Sequence, residues 1–94
     1  MIKHIVCFKL KAGESAERAA EILRSMKGKV LEIIDMEVGV DFLKSERSYD
    51  LILQVLLKDS AALARYQNDA YHCSVVKEYM HKVRESSVAV DYEI

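Results

Sequence analysis

The chain has 94 residues, with 14 lysines and arginines against 15 aspartates and glutamates, for a formal net charge of −1. This balance predicts no basic face for nucleic acid, and no apolar run approaches the ~20 residues that a membrane span needs. The chain has two cysteines, Cys7 and Cys73, which we expect to be free thiols in a cytoplasmic protein rather than a disulfide framework. A domain this small buries only about 60% of its unfolded surface, so we expect a partner subunit to stabilise it.

Patterns of apolar residues divide the first half of the chain into a strand, a helix and a hairpin. Residues 2–10 alternate as a strand, and residues 14–27 carry an apolar stripe at helical spacing, which Gly28 is placed to end. Residues 32–42 and 49–58 alternate again around a polar turn, which predicts a β-hairpin. We expect the following side chains to face the helices: Ile2, His4, Val6, Phe8, Leu10, Ile34, Met36, Val38, Val40 and Phe42.

The second half is predicted to hold an interrupted helix and a final strand. Asp59 or Ser60 can cap the first helical stretch, which residues 67–69 interrupt before helix resumes over residues 71–84. Residues 87–93 form the last strand. We expect its apolar side, Val88, Val90 and Tyr92, to face the helices. Ala89, Asp91 and Glu93 are then expected on the opposite face of the sheet.

The order βαββαβ predicts a ferredoxin-like split βαβ fold of the α+β class, as one domain over residues 1–94. Both helices then cover one face of a four-stranded antiparallel sheet. The other face can be exposed to water, as is common in such sheets. Six apolar residues are predicted on it, however, and an exposed apolar patch usually marks an interface. We therefore expect two copies to pair through it as a dimeric α+β barrel. The apolar residues predicted on this second face of the sheet are Ile5, Cys7, Ile33, Ile52, Leu56 and Ala89.

Over essentially its whole length, the chain resembles the stress-responsive A/B barrel family, called Dabb. The resemblance rests on residues 2–10, 37–40, 48–53, 58–63 and 90–92, together with Tyr66 and His72. It implies a homodimer whose two sheets form a barrel. Plant members are associated with stress responses, and a few members are polyketide cyclases that use a histidine and a tyrosine. The family's His-Pro-x-His turn reads Asn68-Asp69-Ala70-Tyr71-His72 here, so its first histidine and its proline are missing.

His72 and Tyr66 are the residues that the sequence singles out for chemistry, and with His4 they could line one cleft between helices and sheet. A histidine can abstract a proton next to a carbonyl, and a tyrosine hydroxyl can hold the developing enolate oxygen. The structural alternative is that His4 and Tyr66 are ordinary core residues and that His72 caps or braces the break between the two helical stretches. The predicted ligand-binding residues are His4, Phe8, Tyr66, His72 and Tyr79.

Three functions remain open from the sequence. The first is a homodimer that binds a small apolar or aromatic molecule, with no enzymatic activity. The second is a cofactor-independent enzyme of the cyclase, isomerase or lyase kind, with His72 as base and Tyr66 as acid. The third is a structural or interaction protein with a filled core.

Neither a metal site nor a cofactor is predicted from the sequence. Asp35, Glu37 and Asp41 share a strand face that could hold a hard cation, but a solvated or ion-paired face is the favoured interpretation.

Overall fold

The computed structural model describes all 94 residues and shows the predicted ferredoxin-like α+β fold. A π-helical segment (His72–Lys77) runs directly into the third helix. The elements are β1 (Ile2–Leu10), α1 (Ala16–Arg24), β2 (Asp35–Val40), β3 (Leu51–Leu57), α2 (Ser60–Gln67), α3 (Glu78–Val83) and β4 (Arg84–Glu93). The four strands form one antiparallel sheet in the order β2-β3-β1-β4, with the helices on one face.

Side-chain caps fix where the first two helices begin. The Ser15 hydroxyl accepts a hydrogen bond from the Arg18 backbone N–H at 3.0 Å. At α2 it is Asp59 that caps, since its carboxylate accepts from the Ala62 N–H at 2.8 Å. Both bonds satisfy backbone donors that have no partner in the first turn of a helix.

The hairpin is shorter than the sequence predicted, and this changes which side chains are buried. Strand β2 pairs with β3 only from Asp35 to Val40, after which the chain turns away through Lys44 at a φ of 57°. Two side chains predicted to face the helices therefore lie outside the sheet. Ile34 is 50% exposed and Phe42 is 90% exposed.

The predicted orientation of the last strand was wrong. Residues directly opposite each other on paired strands share a face, and the register pairs His4 with Asp91 and Ile5 with Val90. Asp91 thus lies on the helix side of the sheet, and Val90 lies on the uncovered side. The error arose because the apolar side of β4 was assumed to face the helices, whereas β4 is an edge strand that no helix covers.

The corrected register makes the uncovered sheet face more apolar than predicted. Val88, Val90 and Tyr92 are 49%, 61% and 48% exposed on it. They lie across from Cys7, Ile5 and Lys3 respectively. No helix of the chain has the length and apolar character to cross a membrane.

Candidate functional site

A cleft of about 230 Å³ opens between β1, β3 and the helices, lined by 14 residues. It exceeds the ~150 Å³ of an engineered apolar cavity that binds benzene, so a substituted aromatic ring fits. Four of the five predicted ligand-binding residues line it, namely His4, Phe8, Tyr66 and His72. Its other apolar wall residues are Val6, Leu23, Leu53, Val76 and Met80.

Tyr79, the fifth predicted ligand-binding residue, is not among the lining residues. It is half-buried and packs at the edge of the core. The sequence pattern assumed ordinary helical spacing from His72, but His72–Lys77 is π-helical and its turns are wider. The buried residues His72, Val76 and Met80 then follow one another at steps of four. Met80 therefore lines the cleft where Tyr79 was predicted to do so.

The Tyr66 ring lies against two imidazole rings at the inner end of the cleft. Its centroid is 5.6 Å from that of His4 and 4.3 Å from that of His72, both in edge arrangements. The Tyr66 side chain is fully buried, and its hydroxyl donates only to the Met26 Sδ at 3.8 Å. Burial raises the pKa of Tyr66 above its ordinary value, so the hydroxyl stays protonated.

His72 is held with one ring nitrogen facing the protein and the other free. Its Nδ1 lies 3.1 Å from the Tyr66 carbonyl oxygen. Because a carbonyl only accepts, Nδ1 carries the proton and Nε2 presents a lone pair. Nε2 makes no bond within the protein, and no side-chain nitrogen or oxygen sealed from solvent lacks a partner, so Nε2 is open to the cleft. Burial, assisted by the charge of Lys77, lowers the pKa of His72 to about 4.

His4 is held in the same way by a residue that the sequence did not single out. Its Nδ1–H donates to the Oδ1 of Asp91, which directly faces it on β4. The His4 Nε2 has no partner and is therefore also open to the cleft. A carboxylate on Nδ1 fixes the orientation and tautomer of an imidazole. The predicted strand face put Asp91 on the far side of the sheet, and only the strand register could have identified this pair.

The outer end of the cleft is polar and basic. Its five remaining lining residues are exposed or half-buried, and none of the 14 lining residues is acidic. Lys77 donates from its Nζ to the Gln67 carbonyl at 2.8 Å. These mouth residues are Gln67, Lys77, His81, Arg84 and Ser87.

No group of three or more histidine, cysteine, aspartate or glutamate side chains is placed to hold a metal ion. The predicted alternative of a hard-cation site at Asp35, Glu37 and Asp41 therefore has no support from the geometry.

Comparison with known proteins decides the family. Residues 2–94 match the family Dabb, the Stress responsive A/B Barrel Domain. The chain belongs to the Dabb family. A comparison with curated proteins finds no significant match.

Several solved structures share this Dabb fold. A dimeric protein of unknown function from Bacteroides fragilis is 24% identical, with a TM-score of 0.79, over 99% of this chain and 95% of that one. A dabb family protein from Mesorhizobium loti is 23% identical, with a TM-score of 0.75, over 99% and 95% of the two chains. The hydroxynitrile lyase of Passiflora edulis is 15% identical, with a TM-score of 0.83, over 99% and 92%.

In this Dabb domain, Asp69 stands where the resemblance puts the first histidine of the family's turn. Its Oδ1 accepts a hydrogen bond from the His72 backbone N–H at 3.0 Å. The carboxylate thereby satisfies one free donor at the start of the helical segment, as an N-cap does. His72 is thus anchored at the cleft without the family's proline.

The buried state of His72 predicts a loss of stability in acid. Its pKa is about 4 in the folded protein against an ordinary value of 6.5, so between these values the unfolded chain binds more protons. The contribution to the free energy of unfolding is complete above pH 6.5 and is lost as the pH falls towards 4, by up to about 3 kcal/mol. Urea unfolding of His72→Gln over this range should show a weaker pH dependence than wild type.

The exposed His81 offers the matched control for this measurement. His81→Gln should keep the wild-type pH dependence of unfolding. If His72→Gln also kept it, His72 would not be buried in its neutral form.

Proposed function

We propose that this Dabb protein binds a small aromatic molecule carrying a hydroxyl group in the cleft between helices and sheet. The observation that carries the proposal is the pair of imidazoles, His4 and His72, each held through Nδ1 by the protein and each with an Nε2 that has no protein partner. A ligand hydroxyl can donate to either nitrogen, while its ring contacts the apolar wall. Small-molecule sites are typically apolar pockets that contain a small number of polar groups at fixed positions.

The open cleft argues against a structural protein with a filled interior. Five large side chains could fill it by the sequence, but Phe8, Tyr66 and Met80 line its wall, and the other two, Phe42 and Tyr79, lie outside it. An unfilled cavity costs stability because its wall loses packing contacts. Keeping such a cavity next to two partly unsatisfied imidazoles favours a binding role.

Filling the cleft tests this proposal. Val76 is 2% exposed and lies on the wall, whereas its neighbour Val75 is 36% exposed on the outer side of the same segment. Val76→Phe should place a ring in the cleft and weaken the binding of 4-ethylphenol at least tenfold in calorimetric titration, equivalent to about 1.4 kcal/mol. Val75→Phe adds the same ring outside and should bind as wild type does.

Two outcomes contradict the proposal. One is that wild type does not bind 4-ethylphenol or 4-hydroxyphenylacetamide at millimolar concentration. The other is that Val76→Phe, shown by circular dichroism to be folded, binds 4-ethylphenol with unchanged affinity.

The same proposal includes a homodimer formed through the uncovered sheet face. Val88, Val90 and Tyr92 supply an exposed apolar row there, next to the half-buried Ile5 and Cys7. The Bacteroides fragilis relative in fold is described as dimeric. A two-fold pairing of this face would remove the apolar row from water and stabilise a domain too small to bury a large core.

A second candidate function is proton abstraction next to a ligand carbonyl, favoured by the contact between Asp91 and His4. The His4 Nε2 would take the proton from carbon, leaving an enolate that later regains a proton. The Asp91 carboxylate stabilises the imidazolium formed. His72, with a pKa of about 4, is a weak base. Tyr66 turns its hydroxyl towards Met26, so in this candidate His4 replaces the pair that the sequence favoured.

A further inference from the structure

The mouth of the cleft carries positive charge that no lining residue balances. Lys77 and Arg84 both line the cleft, and it has no acidic lining residue. This contrasts with the chain as a whole, whose net charge is −1.

Arg84 is the cation best placed to meet a ligand. Strand β4 begins at Arg84, which pairs with Leu10 and therefore lies on the helix side of the sheet. Its guanidinium forms none of the ion pairs in the structure, which join His4 to Asp91, Arg18 to Glu21, Arg65 to Glu32 and Lys82 to Glu78. The side chain is nevertheless half-buried, so it is not simply extended into solvent.

Lys77 provides a second cation with donors to spare. One of its three N–H groups donates to the Gln67 carbonyl, which holds the ammonium at the mouth. Its charge also reaches the inner part of the cleft, because it helps to lower the pKa of His72. A planar anion between Lys77 and Arg84 could therefore accept charge-assisted hydrogen bonds from both.

We infer that the ligand of this cleft is an aromatic hydroxy acid. Its carboxylate binds Lys77 and Arg84 at the mouth, its ring contacts the apolar wall, and its hydroxyl donates to an imidazole Nε2 at the inner end. This inference rests on the proposed binding function and adds the charge and the direction of the ligand in the cleft.

A pair of probes that differ only in charge tests the inference. Calorimetric titration should show that wild type binds 4-hydroxyphenylacetate about tenfold more tightly than the neutral 4-hydroxyphenylacetamide, because charge-assisted hydrogen bonds are roughly twice as strong as neutral ones. Arg84→Gln should remove most of this preference. Arg47→Gln removes the same charge from an exposed loop and should keep the preference.

The outcomes separate this inference from the function on which it rests. Equal affinity of wild type for the two probes, or tighter binding of the amide, would overturn the anionic ligand and leave the binding function in place. An equal loss of preference in Arg84→Gln and Arg47→Gln would overturn the role of Arg84 and indicate an effect of net charge alone. If neither probe bound wild type at millimolar concentration, the binding function itself would fail, and the inference with it.

Discussion

Val90→Glu is expected to convert the proposed homodimer into a monomer at micromolar concentration. Val90 is 61% exposed in the middle of the apolar row on the uncovered sheet face. A two-fold pairing would bring two unpaired carboxylates into an apolar interface, which costs about 3–5 kcal/mol for an uncompensated buried charge. The dissociation constant should therefore rise by about 100-fold or more, as measured by sedimentation equilibrium.

Ala89→Glu supplies the matched control, because it adds the same charge one residue away. Ala89 is paired with Val6 and lies on the other side of the sheet, so this variant should remain a dimer. A monomeric wild type would contradict the proposed pairing. A dimeric Val90→Glu beside a monomeric Ala89→Glu would instead show that the opposite face of β4 forms the interface.

His4→Gln is expected to remove proton transfer if the protein acts as an enzyme. A positioned general base contributes about 10²- to 10⁴-fold to the rate of such a step. Wild type should exchange the protons next to the carbonyl of 4-hydroxyphenylacetone with deuterium from solvent, as followed by proton NMR, and His4→Gln should lose this exchange by that factor. His72→Gln should retain more of it, because the pKa of His72 is about 4 and its basicity is low.

The Asp91 contact and free imidazole provide the controls for this reaction. Asp91→Asn keeps the side-chain shape but removes the charge that stabilises an imidazolium at His4, so it should lower the exchange rate. Exchange in wild type no faster than in buffer with an equal concentration of imidazole would contradict the enzymatic candidate. It would leave the binding function unaffected.

The backbone architecture was largely predictable from the sequence because period-two and helical patterns report burial directly. β1 was predicted with the bounds that it has, and the order βαββαβ was correct. The face of β4 was not predictable from pattern alone, because alternation shows that two sides differ but not which one the helices cover. Here the apolar side of the edge strand faces away from the helices, leaving Asp91 free to contact His4.

The candidate site was predictable in part, for a related reason. His72 and Tyr66 are close in sequence, and His4 lies on the face that β1 was predicted to bury, so the family resemblance and the strand pattern together brought these three to one cleft. The Asp91 contact depends on a pairing across 87 residues, which only the strand register fixes. Met80 lines the cleft in place of the predicted Tyr79 because of the π-helical segment, for which the sequence carries no plain signal.

The most direct test of the binding site is a long-range proton–nitrogen NMR spectrum of the histidine side chains, recorded during titration with 4-ethylphenol. We predict that His4 and His72 both carry their protons on Nδ1 in the free protein. Saturable shifts should then appear at the Nε2 of at least one of them as the phenol hydroxyl donates to it. Nε2-protonated rings, or binding of the phenol with no shift at either nitrogen, would contradict the assignment of this cleft as the ligand site.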